Sequence, residues 1–326
     1  MIASYLIHYP WLVDLLCLVV IPLLFILVGY LWRRRALRRH RTSRVFFPVM
    51  ILLAVLFAGG YLYGKFIGSR QLEVRRVELS FSTVPEAFDG YRIVQLSDIH
   101  AGSMDSMFLR RIVDSVNACH PDLIVITGDM QNAEPYELEP LLPTLKRLKA
   151  PDGICSVLGN HDYGHYSFAD EREKINNLGR IMTYQQDMDW YMMTNSRRFI
   201  RRSDQRIVIA GMENDGEGRF PQLGDIQASL YGANRNDFVV MLEHDPTAWR
   251  RKILRHCHAQ LTLSGHTHGG QVALFGWSLA SLHYRECYGV YWMGDRCINV
   301  TRGVNGAIPV RIGATPEIVV ITLKKK

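Results

Sequence analysis

Residues 263–271 read LSGHTHGGQ, two histidines separated by one threonine and flanked by glycines. Imidazole nitrogen binds zinc, iron and related divalent ions, and two such rings among small residues suit a metal site. The preceding run AQLTLS (259–264) has the pattern of a buried strand. If residues 265–268 continue extended, side chains two apart project to the same side, and His266 and His268 face one point. A solvated polar turn carries the same short motif, so the pair alone does not define a site.

More residues of that chemistry recur at regular places. SDIH (97–100), GD (128–129), GNHD (159–162) and EHD (243–245) each begin where an apolar run ends, as does GHTH (265–268). The runs at 92–96, 122–127, 154–158, 205–210, 237–242 and 259–264 read as strands, while 105–118, 138–149 and 247–256 can be helical. Further strand patterns follow at 298–301 and 317–323. Such alternation predicts an α/β sandwich. Ligands in open α/β sheets gather beyond the carboxyl ends of the strands, and here five strand ends carry metal-compatible side chains. Any one of them fits an ordinary capped turn; all five together point to a metal site.

The chain of 326 residues is 48% hydrophobic and 21% charged, enough to bury a large core and inconsistent with wholesale disorder. Its formal charge of +7 is local: residues 33–44 (RRRALRRHRTSR) hold seven arginines and no acid, which equals the entire excess. A nucleic-acid partner is therefore not expected. On either side of this run lie apolar stretches, 11–32 and 45–67, each long enough to cross a bilayer core of about 30 Å. Trp11, Tyr30, Trp32, Tyr61 and Tyr63 cluster at their ends, as interfacial anchors do. Asp14 stands near the start of the first stretch. Residues 1–10 (MIASYLIHYP) lack the basic segment of a cleaved signal peptide. The expectation is a transmembrane hairpin over 1–71 followed by a soluble domain over 72–326. With the arginine loop held in the cytoplasm, the domain is expected on the outer face of the inner membrane.

Two other features compete for chemistry. Arg255, His256, Cys257 and His258 form a ligand-like run, but at the end of a helical stretch before a buried strand, where a structural role is expected. Residues 211–218 (GMENDGEG) read equally as a loop near the site or as a solvated turn. Cys287 and Cys297 flank a hairpin turn around Met293, Gly294 and Asp295, and are the pair that an oxidising compartment could join.

The series SDIH, GDM, GNHD, LEHD and GHTHGG resembles the calcineurin-like metallophosphoesterase superfamily, whose members carry DxH, GD, GNH, a lone H and GHxH in that order. The resemblance runs over residues 75–323. The tail RGVNGAIPVRIGATPEI (302–318) resembles a subgroup of membrane-associated bacterial phosphoesterases of the YkuE and YaeI type. What the resemblance implies is two β-sheets flanked by helices and a binuclear centre. Asp98, His100 and His268 would hold one divalent metal, Asn160, His244 and His266 the other, and Asp129 would bridge them. Carboxylate, amide and imidazole donors without a thiolate suit manganese, iron or zinc. His161 would face the substrate and either protonate the leaving oxygen or stabilise charge developing there, and Asp162 would orient a histidine. Two divalent ions, two carboxylates and one bridging hydroxide leave a charge of roughly +1, which attracts an anion. The implied activity is hydrolysis of a phosphodiester or pyrophosphate-type bond by that hydroxide, with lipid-linked or nucleotide-sugar substrates suggested by the anchor. The alternative is a noncatalytic membrane scaffold that retains the fold; turnover separates the two.

Overall fold

The computed structural model describes residues 7–38, 45–167 and 170–326, so the end of the arginine run, 39–44, lies outside the described residues. Two apolar helices come first. One spans Pro10–Arg38, with a π-helical turn at Leu16–Val20, and the other spans Phe46–Phe66. Both are long and apolar enough to cross a membrane, and only 11% of each apolar window is covered by the rest of the chain. Core helices of a soluble domain would be mostly covered, and these two are candidate membrane spans. The two pack against each other through Gly29, where an added Cβ would come within 2.9 Å of Met50, and through Trp32 on Phe46. Near their other end Asp14 accepts from Lys65 at 2.5 Å and from Tyr61 at 2.7 Å.

The rest of the chain builds two six-stranded sheets. Its strands are β1 (Glu73–Phe81), β2 (Arg92–Leu96), β3 (Leu123–Thr127), β4 (Ile154–Val157), β5 (Tyr191–Met192), β6 (Ser196–Arg202), β7 (Gln205–Gly211), β8 (Phe238–Leu242), β9 (Leu261–Ser264), β10 (Ala273–Leu274), β11 (Trp277–Ser278), β12 (Gly289–Met293), β13 (Arg296–Val300) and β14 (Glu317–Lys325). The first sheet runs β1-β14-β2-β3-β4-β5, the second β12-β13-β9-β8-β7-β6, and β10 with β11 forms a separate small hairpin. Strands β2, β3 and β4 are parallel neighbours, as are β7, β8 and β9.

Alternation along each strand divides the core. Ile93, Leu123 and Val125 face Ile209, Val240 and Leu263 across the sandwich. Their neighbours Val94, Ile124 and Ile126 turn outward onto Ile112, Val113 and Val116 of the helix Ser106–Ala118. On the other side Val208, Val239 and Met241 meet Trp249 and Ile253. Strands covered on both faces must be apolar throughout, which is why β3 and β8 read as unbroken apolar runs.

The structure departs from or adds to the pattern in three places. The helix expected over 138–149 is only a 3-10 turn (Pro135–Leu138) and one α-turn (Leu142–Leu145), because Pro140 and Pro143 remove backbone donors. Strands β1, β5 and β6 and the helix Glu171–Asp187, capped by Asp170, are among the elements that the pattern does not predict. Cys287 and Cys297, whose pairing the sequence leaves open, are both free thiols. The β12–β13 register places Cys297 opposite Trp292, with Cys287 before the strand begins.

Candidate metal centre

Each polar motif leaves the carboxyl end of a strand: SDIH after β2, GD after β3, GNHD after β4, EHD after β8 and GHTH after β9. The loops brace one another. Asp98 donates its amide to the carbonyl of Gly128 (3.0 Å), His100 to that of Asp129 (3.1 Å), and Gly265 to that of His244 (3.0 Å). Glycine is required where they cross: a Cβ on Gly159 would lie 2.2 Å from Asp129 Oδ1, and one on Gly265 2.5 Å from Asp98 Oδ2.

Asp98, His100, Asp129, His266 and His268 all have φ between 45° and 71°. This left-handed backbone costs an L-residue roughly 1–2 kcal/mol. Residues 265–268 are thus not extended, and His266 and His268 do not face one point. Instead His266 Nδ1 looks at His244 Nε2 (3.3 Å) and His268 Nε2 at Asp98 Oδ1 (3.8 Å).

Ligand-type atoms fall into three overlapping groups, each within 4.8 Å: Asp98, His100 and His268; His100, Asp129 and His161; Asp129, His244 and His266. Asp129 joins them, with Oδ2 3.2 Å from His244 Nε2 and 3.6 Å from His100 Nε2. Asn160 donates from Nδ2 to Tyr166 Oη at 2.9 Å, while its buried Oδ1 has no hydrogen-bond partner. Both ring nitrogens of His100 are likewise buried and unpartnered. Buried acceptors aimed at one space without a donor between them fit divalent cations.

Electrostatics favour the metal-binding form of some of these donors, while His244 and Asp98 are held toward their protonated forms, so a cation there would displace protons. Burial pushes His100 down to about 3, lowers His266, and holds His268, beside the Arg311 guanidinium, well below the ordinary range. These rings are neutral, the form that binds metal. Burial opposes charge on Asp129, but His244, His161 and His100 outweigh it and keep the carboxylate ionised. Burial likewise opposes charge on His244, which Asp129 nevertheless raises to about 10. Burial raises Asp98 to about 6. His244 Nδ1 is fixed on the Thr127 carbonyl (2.7 Å) and His161 Nδ1 on that of Asn132 (2.5 Å).

Asp162 does not orient a histidine. Its carboxylate accepts the amides of Asp129 (3.0 Å), Met130 (2.9 Å), Gln131 (3.2 Å) and Gly159 (2.9 Å), tying the GD and GNHD loops together. Arg255 and His256 are exposed, and no ligand group among the described residues includes the run 255–258. In 211–218, Asn214 and Asp215 are buried, with Asp215 paired to Arg251 and Lys252 at 2.5 Å, so this part is packed beneath the site.

Several contributors carried no motif. Tyr166 stacks on His161 at 4.3 Å, and Phe220 stands edge-on to His266 at 4.9 Å. Tyr284 Oη lies 2.9 Å from His266 Nε2. Asn305 donates to the carbonyls of Ile99 (3.1 Å) and His100 (3.2 Å), and buried Arg311 donates to that of His268 (2.8 Å). The last two lie in the tail 302–318, whose family resemblance was the one available signal.

Fold and site together define a metal-binding α/β sandwich with its donors on five strand ends. The family model for calcineurin-like phosphoesterases matches residues 91–270, and the chain belongs to that family: it is a metal-dependent phosphoesterase, and the family implies two divalent metal ions. It is 30% identical over 297 residues to "Uncharacterized metallophosphoesterase YkuE" of Bacillus subtilis, covering 89% of this chain and 99% of that one. It is 28% identical over 335 residues to a "Transmembrane protein with metallophosphoesterase domain" of Danio rerio, covering 98% of this chain and 74% of the other. Among solved structures, a dimetal phosphatase from Danio rerio matches with 15% identity over 66% of this chain and 88% of that chain, at a TM-score of 0.39.

Proposed function

We propose that the chain is a membrane-anchored phosphoesterase that cleaves phosphodiester or pyrophosphate-type bonds at this centre. Asp98, His100 and His268 would hold one divalent metal, Asn160, His244 and His266 the second, with Asp129 serving both; manganese, iron or zinc would suit these donors. The observation that supports this most is the position of Asp129 Oδ2, 3.6 Å from His100 and 3.2 Å from His244, between two ligand groups. When bound, the metals supply Lewis acidity, lowering the pKa of water and stabilising charge on phosphoryl oxygens.

The chain's own residues do the rest. With Nδ1 engaged by the Asn132 carbonyl, His161 presents Nε2, where a proton is delivered to the departing oxygen. Tyr166 fixes the plane of that ring, and Phe220 and Tyr284 position His266.

The anchor is the hairpin within residues 1–71 and the phosphoesterase domain is 72–326, on the outer face of the inner membrane. A reporter fused after Lys326 and active only in the cytoplasm would refute that orientation. Lipid-linked phosphoesters and nucleotide sugars are the substrate classes to screen. The activity is tested with the purified full chain, manganese and bis(p-nitrophenyl) phosphate. The parent turns the ester over while His161→Ala and Asp129→Asn are severely impaired; unchanged turnover in both variants would reject the reading.

A further inference from the structure

The small hairpin β10–β11 has the wrong residues for a solvated turn. Leu274 pairs with Trp277 across a two-residue turn of Phe275 (φ 54°) and Gly276 (φ 80°). Turns with both central residues at positive φ favour Asn or Asp before Gly. Phenylalanine there is sterically disfavoured, and its ring stands fully exposed at the tip. Val272, Leu274 and Trp277, with Leu279 and Leu282 of the following 3-10 turn, are also exposed, forming one apolar patch within eleven residues of chain. A local preference broken in favour of an exposed aromatic ring calls for a functional reason.

Its location supplies one. Ala273 donates its amide to the carbonyl of Ile312 (2.7 Å), and Ile312 to that of Gln271 (3.0 Å), so the base of the hairpin pairs with residues around 312. That segment rests on the domain-side end of the second apolar helix: Arg311 donates its amide to Gly64 (3.0 Å), and a Cβ on Gly64 would meet Val310 and Ile312 at 2.9 Å. The base of the patch is therefore tied to the domain-side end of the second apolar helix. It also begins four residues after His268, and His8, just before the first helix, lies 3.3 Å from Ser167, the neighbour of Tyr166.

We propose that the hairpin 272–282 sits in the lipid interface beside the transmembrane helices, so that the metal centre faces the bilayer and acts on phosphoesters carried by lipids of that leaflet. This rests on reading the two helices as membrane spans and deepens the proposed function by naming the substrate class. Trp, Phe and Leu are the residues an interfacial segment uses.

The test uses the full chain reconstituted in vesicles of phosphatidylethanolamine and phosphatidylglycerol, with an environment-sensitive fluorescent amino acid in place of Phe275. Quenching by lipids brominated on their acyl chains, with protection from aqueous iodide, is the expected result. Quenching by iodide, or by neither agent as a protein partner would produce, overturns the proposal. A second arm compares hexadecyl p-nitrophenyl phosphate embedded in the bilayer with its soluble methyl counterpart. Phe275→Asn suits the turn better than the parent residue, so misfolding is not its expected effect. It should lower turnover of the hexadecyl ester roughly tenfold while leaving the methyl ester within about twofold; equal effects on both esters, or on neither, count against the interfacial role. Failure of the parent to hydrolyse the methyl ester would strike the phosphoesterase reading alone, since the quenching result is independent of turnover.

Discussion

Arg311 links the second apolar helix to His268. Its guanidinium donates to the His268 carbonyl at 2.8 Å, while its backbone amide donates to the carbonyl of Gly64 at 3.0 Å. The side chain is buried and also serves the carbonyls of Arg302 (2.9 Å), Asn305 and Ala314 (3.4 Å). Arg311→Ala would take this donor from the carbonyls of Arg302, Asn305 and Ala314, at about 3 kcal/mol or more, while that of His268 keeps the Gln271 amide (3.1 Å). It should lower the unfolding temperature in detergent and loosen metal binding. Gly68→Ala should act in the same direction from the helix side, because its Cβ would fall 1.9 Å from the Arg311 carbonyl oxygen. Parent-like stability and metal affinity in both variants would show that helix and site are independent.

Asp162 holds four backbone amides of the two ligand loops. Burial raises its carboxyl to about 6, yet those donors require acceptors. Asp162→Asn turns an amide NH2 toward N–H groups, and metal affinity should fall by roughly 10- to 100-fold. Titration with manganese, followed calorimetrically, measures this; an unchanged dissociation constant would show that the loops hold their shape without the carboxylate.

His161 is proposed to act on the leaving group rather than to hold a metal, although its ligand atom lies within 4.8 Å of those of His100 and Asp129 and its Nδ1 is held by the Asn132 carbonyl much as His244 Nδ1 is held by that of Thr127. His161→Ala should reduce kcat by roughly 10²–10⁴ with the metal content retained. Loss of metal together with activity would make His161 a ligand instead.

At the domain-side end of the helical hairpin, Asp14 accepts from Lys65 and Tyr61. Interhelical polar contacts of this kind contribute about 1 kcal/mol. Asp14→Leu and Lys65→Leu should each destabilise the chain in detergent, and the double variant should cost less than the sum. Additive losses across the cycle would mean that the pair does not couple the helices.

Much of the site was legible because metal chemistry restricts residue types: carboxylates and imidazoles gathered at five strand ends suit a cation and little else. The strands themselves were legible where both faces are buried, as in β2, β3 and β8. What the pattern hid was backbone conformation. His266 and His268 looked like neighbours on one extended face, whereas positive φ at both sends them to different partners. The resemblance implies that Asp162 orients a histidine, but its partners are amides, which no residue-type pattern displays. Arg311 resembles any surface arginine until the fold closes backbone segments around it. Strand β1 escaped notice because charged residues interrupt it (EVRRVELSF); it is an edge strand, half solvated.

The central claim is that two cations share Asp129. Elemental analysis of the purified full chain after manganese loading and desalting tests it directly. The account predicts two metal ions per chain in the parent and near-complete loss of both in Asp129→Asn; background metal in the parent, or an undiminished two per chain in the variant, would contradict it.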